Sequence, residues 1–321
     1  MTSGIVPAPG LRKRRLGRTC LRISEISLGC VEIGLDYGIA PEGKPRRPSE
    51  AEAKRILHTA LDLGVNHLDT ARAYGESEAI IGRALKGRRD EFVLTTKIPV
   101  QKQAKLSTVE LREYCRLSLE ASLEALQTDR IDLALLHTSG PEILRRCDVP
   151  KILSEECGKH VRFFGASVYG AESARVAIDS GWCDCVQIAY SMLDRRPEAD
   201  VLARARKKDV GVVARSVLLK GALTRRCENL PEGLKDLRKA VSEAAKLSQE
   251  GLDGLPELAY RYVLSDERVH TALVGASCVE EVEQAVRFAI EGPLGRHQIY
   301  GIRKLEINEE RILNPGNWPM N

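Results

Sequence analysis

The sequence predicts an α/β fold, a (β/α)8 TIM barrel with an N-terminal β-hairpin. Two observations predict it. First, eight short apolar, β-branched segments recur along the 321 residues, each bounded by turn residues, as strands buried on both faces of a parallel sheet require. Second, most of these segments are followed by a helix-like pattern, and eight such units fit this length. A doubly wound sheet competes, but it needs fewer strands and usually carries a glycine-rich turn after its first strand. Here Gly29 is followed by Cys-Val-Glu-Ile-Gly, which is not that fingerprint.

The hairpin is read from Leu16-Gly-Arg-Thr-Cys-Leu-Arg-Ile23, ahead of the first strand and covering the barrel's lower end. The eight strands are expected at 26–30, 66–69, 92–97, 131–136, 161–165, 185–188, 210–214 and 271–274. Ser49-Glu-Ala-Glu52 and Ser107-Thr-Val-Glu110 have capping-box spacing, so a helix should start at each. Ile56, Leu57, Ala60 and Leu61 form the apolar stripe of the first helix, and Leu111, Cys115, Leu119 and Leu123 that of the second. Pro150, Ala171, Pro197 and Val279 begin further helical stretches, and 234–247 is a long one. A Gly/Pro-rich loop covers 34–48. Residues 292–321 form a tail whose prolines forbid one continuous helix. The expected organisation is one domain, with its core at about residues 16–291.

Composition narrows the function. An apolar fraction of 43% and a charged fraction of 29% describe a globular chain rather than a disordered or disulfide-stapled one. A net charge of +4, spread along the chain, gives no electrostatic footprint for nucleic acid or a membrane surface. Arg12-Lys-Arg-Arg15 reads as a solvated lead-in rather than a phosphate site. Nine cysteines and an N-terminus without an apolar signal region lead to the expectation of a cytoplasmic protein with reduced thiols.

In such a barrel the reactive groups gather where strands end. The second strand ends in Asp69, the third in Lys97 and the fourth in His137, while Tyr74 follows shortly after Asp69. A charge finishing a run like Phe-Val-Leu-Thr-Thr is costly to bury unless paired, and Asp69 and Lys97 on neighbouring strands supply the pair. Taken singly, each of these side chains has an ordinary structural explanation; together they are chemically complementary. The remaining histidines, His58, His67, His160, His270 and His297, read as surface or packing residues. Cys183-Asp-Cys185 is considered as half of a metal site, but no second pair has zinc spacing, so no metal is expected.

Asp69-Thr-Ala-x-x-Tyr74-Gly-x-Ser-Glu78, Thr-Thr-Lys97 and Asp-Leu-Ala-Leu-Leu-His137 together resemble the aldo-keto reductases. So do Ser27-Leu-Gly-Cys30, Gly165-Ala-Ser167, the Gln187 to Arg195 stretch and Val274-Gly-Ala-Ser277. The resemblance implies a nicotinamide-dependent oxidoreductase with a tetrad of Asp69, Tyr74, Lys97 and His137. In that reading Tyr74 moves the proton, Lys97 lowers the phenol's pKa, Asp69 keeps the lysine charged and His137 orients the carbonyl. It also implies a cofactor site at Gly29, Cys30 and Asp69, with Ser167 and Gln187 on the nicotinamide carboxamide. Ser216 and Leu218 would line the pyrophosphate channel, and Gly275, Ser277 and Glu281 the adenosine end.

Three positions depart from the commoner pattern. Val168 replaces the asparagine that usually follows the serine. Arg215 stands where a ring usually stacks on the nicotinamide, to stack there itself or to swing away. Glu281 stands where members preferring NADPH place a cation, which tilts the cofactor from NADP(H) toward NAD(H). The substrate is expected to be a small carbonyl compound or sugar, in a pocket built from the 34–48 loop with Tyr37, Thr138, Ser139 and the tail with Trp318. A cofactor-binding regulatory or redox-sensing subunit is the alternative function.

Overall fold

The computed structural model describes residues 10–39, 47–100, 103–305, 307 and 310–318. Part of the expected 34–48 loop and of the C-terminal tail therefore lies outside the described residues, as do residues 1–9.

An antiparallel pair, β1 (Lys13–Arg15) and β2 (Arg22–Ser24), precedes a closed parallel barrel. The barrel strands are β3 (Ile26–Gly29), β4 (His67–Asp69), β5 (Val93–Pro99), β6 (Ile131–His137), β7 (Val161–Ser167), β8 (Cys185–Ala189), β9 (Gly211–Arg215) and β10 (Thr271–Gly275). Each pairs with its sequence neighbour, and β10 closes onto β3 through Gly275 and Gly29. The helices are α1 (Val31–Gly34), α2 (Glu50–Asp62), α3 (Ser77–Ala84), α4 (Thr108–Leu126), α5 (Pro141–Leu144), α6 (Val149–Ile152), α7 (Gly170–Asp179), α8 (Val201–Lys207), α9 (Lys235–Ala245), α10 (Leu255–Leu264), α11 (Val279–Ile290) and α12 (Arg296–Arg303). No helix among the described residues is long and apolar enough to cross a membrane.

Strand alternation sorts the side chains into two populations. Outward residues such as Leu28, Leu68, Leu94, Leu136 and Val212 join the shell packed under the helices. Inward residues Leu133, Leu135, Cys185 and Val213 form a separate apolar cluster with Leu16, Leu21 and Ile23 of the N-terminal segment. The hairpin thus plugs the barrel's lower end. Its strands are 13–15 and 22–24, so the expected 16–23 stretch is mainly the connecting turn. Val93, Phe163 and Leu273 pack against the inner cluster, and Ser27, His67 and Thr95 add inward polar positions. His67, fully buried, is held by Ser27 Oγ at 2.8 Å and Thr95 Oγ1 at 2.7 Å, and burial takes its pKa down to about 4.

Helix starts follow the capping chemistry with one difference. Ser107 and Glu110 complete a reciprocal box on α4. On α2, Ser49 accepts from the Glu52 amide, but the Glu52 carboxylate pairs with Arg55 instead of returning to the cap. The basic run is solvated at Arg12, Lys13 and Arg15, but not at Arg14. Arg14 is an ion-pair partner of Glu25 and donates to the carbonyls of Leu264, Asp266 and Val269, tying the hairpin to the end of α10. The Cys183–Cys185 pair does not share a face. The strand begins at 185, leaving Cys185 inside the barrel and Cys183 in the outer shell.

Candidate functional site

An inward residue at or near the C-terminal end of every barrel strand faces one mouth. These residues are Gly29, Asp69, Lys97, His137, Ser167, Gln187, Arg215 and Gly275. They follow from period-two alternation in a closed sheet. Except for Lys97, they line a groove of about 810 Å³ that also takes in Tyr74 and runs out to Glu281 and Arg287 on α11.

Lys97 and Asp69 form a fully buried ion pair, and Lys97 Nζ also donates to the Thr70 carbonyl at 2.9 Å and to Tyr74 Oη at 3.3 Å. The ammonium lies 4.7 Å from the Tyr74 ring centroid, and the His137 ring meets that ring edge-on at 5.5 Å. Tyr74 is placed by glycine on both sides. Gly75 adopts φ +55°, and a Cβ on Gly34 would collide with the Tyr74 carbonyl, so the turn carrying Tyr74 rests backbone on backbone against α1. Burial pushes the Lys97 ammonium down, but Asp69 and Tyr74 outweigh it and raise its pKa. Burial also lowers His137, helped by Lys97 and Arg215, to about 3, so this imidazole is neutral.

For Tyr74 the sequence-based expectation was a lowered pKa, and the structure reverses it. Burial, the largest influence, outweighs the pull of Lys97, and the phenol is held protonated above its usual value.

Gln187 extends the cluster. Its Nε2 donates to Asp69 Oδ2 at 2.7 Å, and its Oε1 accepts from Ser167 Oγ at 3.1 Å. A continuous chain therefore runs Ser167–Gln187–Asp69–Lys97–Tyr74. Arg215 does not reach across the mouth. Its guanidinium lies 3.8 Å from the Tyr169 ring centroid and donates to the Val168 carbonyl at 2.9 Å and Ser216 Oγ at 3.3 Å. Leu218 and Ser216 are on the groove wall, and Ser216 holds a left-handed φ of +58°. Such a backbone is uncommon outside glycine and is found at functional turns.

At the outer end, Glu281 is not free. It pairs with Arg226 and accepts from the Ser277 amide at 2.7 Å and from Ser277 Oγ at 3.1 Å. Two expectations for the substrate pocket also fail. Trp318 is packed into the apolar shell with its indole donating to the Ile312 carbonyl, and Ser139 is buried on the Leu136 and Ser167 carbonyls. Tyr37 and Thr138 do face the groove.

Residues that the sequence reading missed are Arg226, Tyr169 and Glu32. Arg226 and Tyr169 lie in loops whose path no local pattern specifies. Glu32 follows Gly29 by three residues and could have been noticed as a carboxylate in the first strand-to-helix turn. Its Oε2 is out of solvent contact with no hydrogen-bond partner among the described residues, and a Cβ on Gly275 would run into its carboxyl. A groove stripped to backbone at Gly29 and Gly275, lined by Arg226 and Lys220 and containing an unsatisfied polar atom, fits an extended anionic dinucleotide.

Residues 25–307 match the model of the aldo/keto reductase family. The chain belongs to that family. It is 29% identical to the uncharacterized oxidoreductase YqkF of Bacillus subtilis over 315 residues, covering 91% of this chain and 96% of that protein. It is 30% identical to the uncharacterized oxidoreductase YrpG of the same organism, covering 85% and 89%. Among solved structures, the holo form of aldo-keto reductase AKR11C1 from Bacillus halodurans superposes with a TM-score of 0.74 at 28% identity, covering 93% of this chain and 97% of that one. The aldo/keto reductase match begins at Glu25, after the hairpin, and spans every barrel strand.

Proposed function

We propose that the protein is an NAD(P)(H)-dependent oxidoreductase that interconverts a small carbonyl compound, an aldehyde, ketone or sugar, and its alcohol. The observation that carries this reading is Tyr74 Oη, 3.3 Å from the Lys97 ammonium of a buried ion pair and facing a groove large enough for a dinucleotide. A bound nicotinamide cofactor supplies or accepts hydride at the carbonyl carbon.

The chain's own residues handle the proton and the geometry. Tyr74, held protonated at rest, gives its proton to the carbonyl oxygen as negative charge builds there. Lys97 contributes little to the resting phenol but stabilises the phenolate as it forms. The interaction is therefore stronger in the transition state than in the ground state, which is the condition for accelerating the step. Asp69 fixes Lys97, and Gln187 fixes Asp69. Neutral His137, against the Tyr74 ring, donates to the same oxygen and holds it in place.

For the cofactor we propose NAD(H) over NADP(H). The cation nearest Glu281 is Arg226, already neutralised by that carboxylate. Asp253, Glu257 and Glu291, which also line this end, are paired with Arg225 and Arg261, so the preference rests on Arg226 having no charge to spare for a 2′-phosphate. The nine cysteines are all free thiols, which fits a reducing, cytoplasmic setting.

Incubating the protein with NADH or NADPH and a panel of aldehydes, ketones and sugars, and following cofactor absorbance, tests the reading. Turnover that disappears in Tyr74→Phe supports it. Cofactor binding with no turnover above that variant would instead identify a regulatory or sensing subunit.

A further inference from the structure

Glu32 is the second residue of α1, the short helix that follows β3, on the wall of the groove beside Gly29 and Gly275. Its Oε2 is occluded and has no hydrogen-bond partner among the described residues, a state that costs free energy unless a ligand satisfies it. Cys30 at the start of α1, Tyr37 in the following loop and Tyr260 on α10 lie within its electrostatic reach, and its own backbone amide favours the charged form. Glu281 on α11 opposes a negative charge there, and Arg226 favours one. Arg226 is itself bound to Glu281, so the field it leaves at Glu32 is weak. Burial is the largest influence, and the carboxyl is pushed up to about 8. At neutral pH it carries a proton and can donate.

We propose that Glu32 is a cofactor-binding donor in the dinucleotide groove, its carboxyl turning to give a hydrogen bond to a phosphate oxygen of the dinucleotide's pyrophosphate bridge. An ionised Glu32 would repel both Glu281 and the ligand; the acid form removes both repulsions and satisfies the orphaned oxygen. The inference rests on the reading of the groove as a dinucleotide site.

The test is a fluorescence titration of the wild-type protein and the Glu32→Gln and Glu32→Ala variants with NADH at pH 7 and pH 9. Only the protonated fraction is binding-competent, so the wild-type Kd should rise about tenfold across this interval. Glu32→Gln keeps a donor in the same place and should bind with the wild-type Kd at pH 7 and show no such rise. Glu32→Ala should bind more weakly than wild type at pH 7 and also lose the pH dependence. A rise that survives unchanged in Glu32→Gln would overturn the proposal and assign the pH dependence to another groove residue such as Lys220, whose ammonium burial pushes down. A flat wild-type profile, with Glu32→Gln binding more weakly, would overturn it in favour of a carboxylate accepting a ribose hydroxyl. If the wild-type protein bound neither NADH nor NADPH at either pH, the dinucleotide reading itself would fall, which is a distinguishable result.

Discussion

Gln187 and Asp69 hydrogen-bond at 2.7 Å across the full width of the barrel mouth, from β8 to β4, which stand four places apart in the closed ring of eight strands. Asp69 is bound on one oxygen by Lys97 and on the other by Gln187, so each carboxylate oxygen has a donor while the group is almost wholly buried. The strut converts two opposite strand ends into one rigid platform for Lys97.

Removing the strut should therefore be felt first in stability. Gln187→Leu leaves a buried carboxylate oxygen without a donor, which costs about 1–3 kcal/mol. Urea unfolding should show a lower midpoint with an unchanged slope. An unaltered midpoint would mean that Asp69 does not depend on Gln187.

Tyr74→Phe should lower kcat by about 10²–10⁴-fold, the usual contribution of a positioned acid or base, and leave NADH binding intact. Because burial holds the phenol protonated, the rate of carbonyl reduction should stay flat through neutral pH and fall only on the alkaline side. Lys97→Met should remove the stabilisation of the forming phenolate and also strand Asp69, a loss of about 3–5 kcal/mol of stability. Steady-state kinetics with parallel thermal melts separates the two effects. A Tyr74→Phe variant with undiminished kcat would remove Tyr74 from the chemistry.

The mouth of the barrel was legible because it obeys a period. Once Asp69, Lys97, His137 and Gln187 are placed on strands, alternation turns them inward and chain direction puts them at one end. Lys97 also announces itself as a charge that a buried strand cannot carry alone. The outer groove obeys no period. Arg226 reaches Glu281 from a turn 55 residues away in sequence, so the carboxylate that reads as a free acceptor is in fact clamped. Trp318 looked like a pocket residue because it is aromatic and near the end of the chain, yet its indole is drawn into the shell by the Ile312 carbonyl. The direction of the Tyr74 shift was misjudged for a related reason. The sequence shows which charges are close, but not how much water is excluded.

Cofactor choice should respond to the Arg226–Glu281 pair. Glu281→Gln frees the guanidinium and removes a like charge, so NADPH affinity should rise relative to NADH by about five- to tenfold, near 1 kcal/mol. Arg226→Ala should weaken NADPH more than NADH. Competitive titrations at low salt, where such charges are least screened, give the ratios. No change in the NADH/NADPH ratio in either variant would place the adenosine end elsewhere.

The last prediction concerns His67 and has a definite sign. Its folded pKa, about 4, lies below the ordinary histidine value of 6.5 because burial between Ser27 and Thr95 disfavours the imidazolium. Between those two values the unfolded chain binds the proton and the folded chain does not, so stability rises with pH across the window. Equivalently, acidification from about pH 6.5 to pH 4 costs up to about 1.4 kcal/mol per pH unit from this residue. His67→Asn keeps polar atoms near Ser27 and Thr95 but cannot titrate. Urea unfolding of both proteins between pH 4.5 and pH 7 should give a steeper loss for the wild type, even if the variant is less stable at pH 7. Parallel curves would show that His67 takes up a proton equally well folded and unfolded, and the polar layer beneath the Asp69–Lys97 pair would then have to admit water.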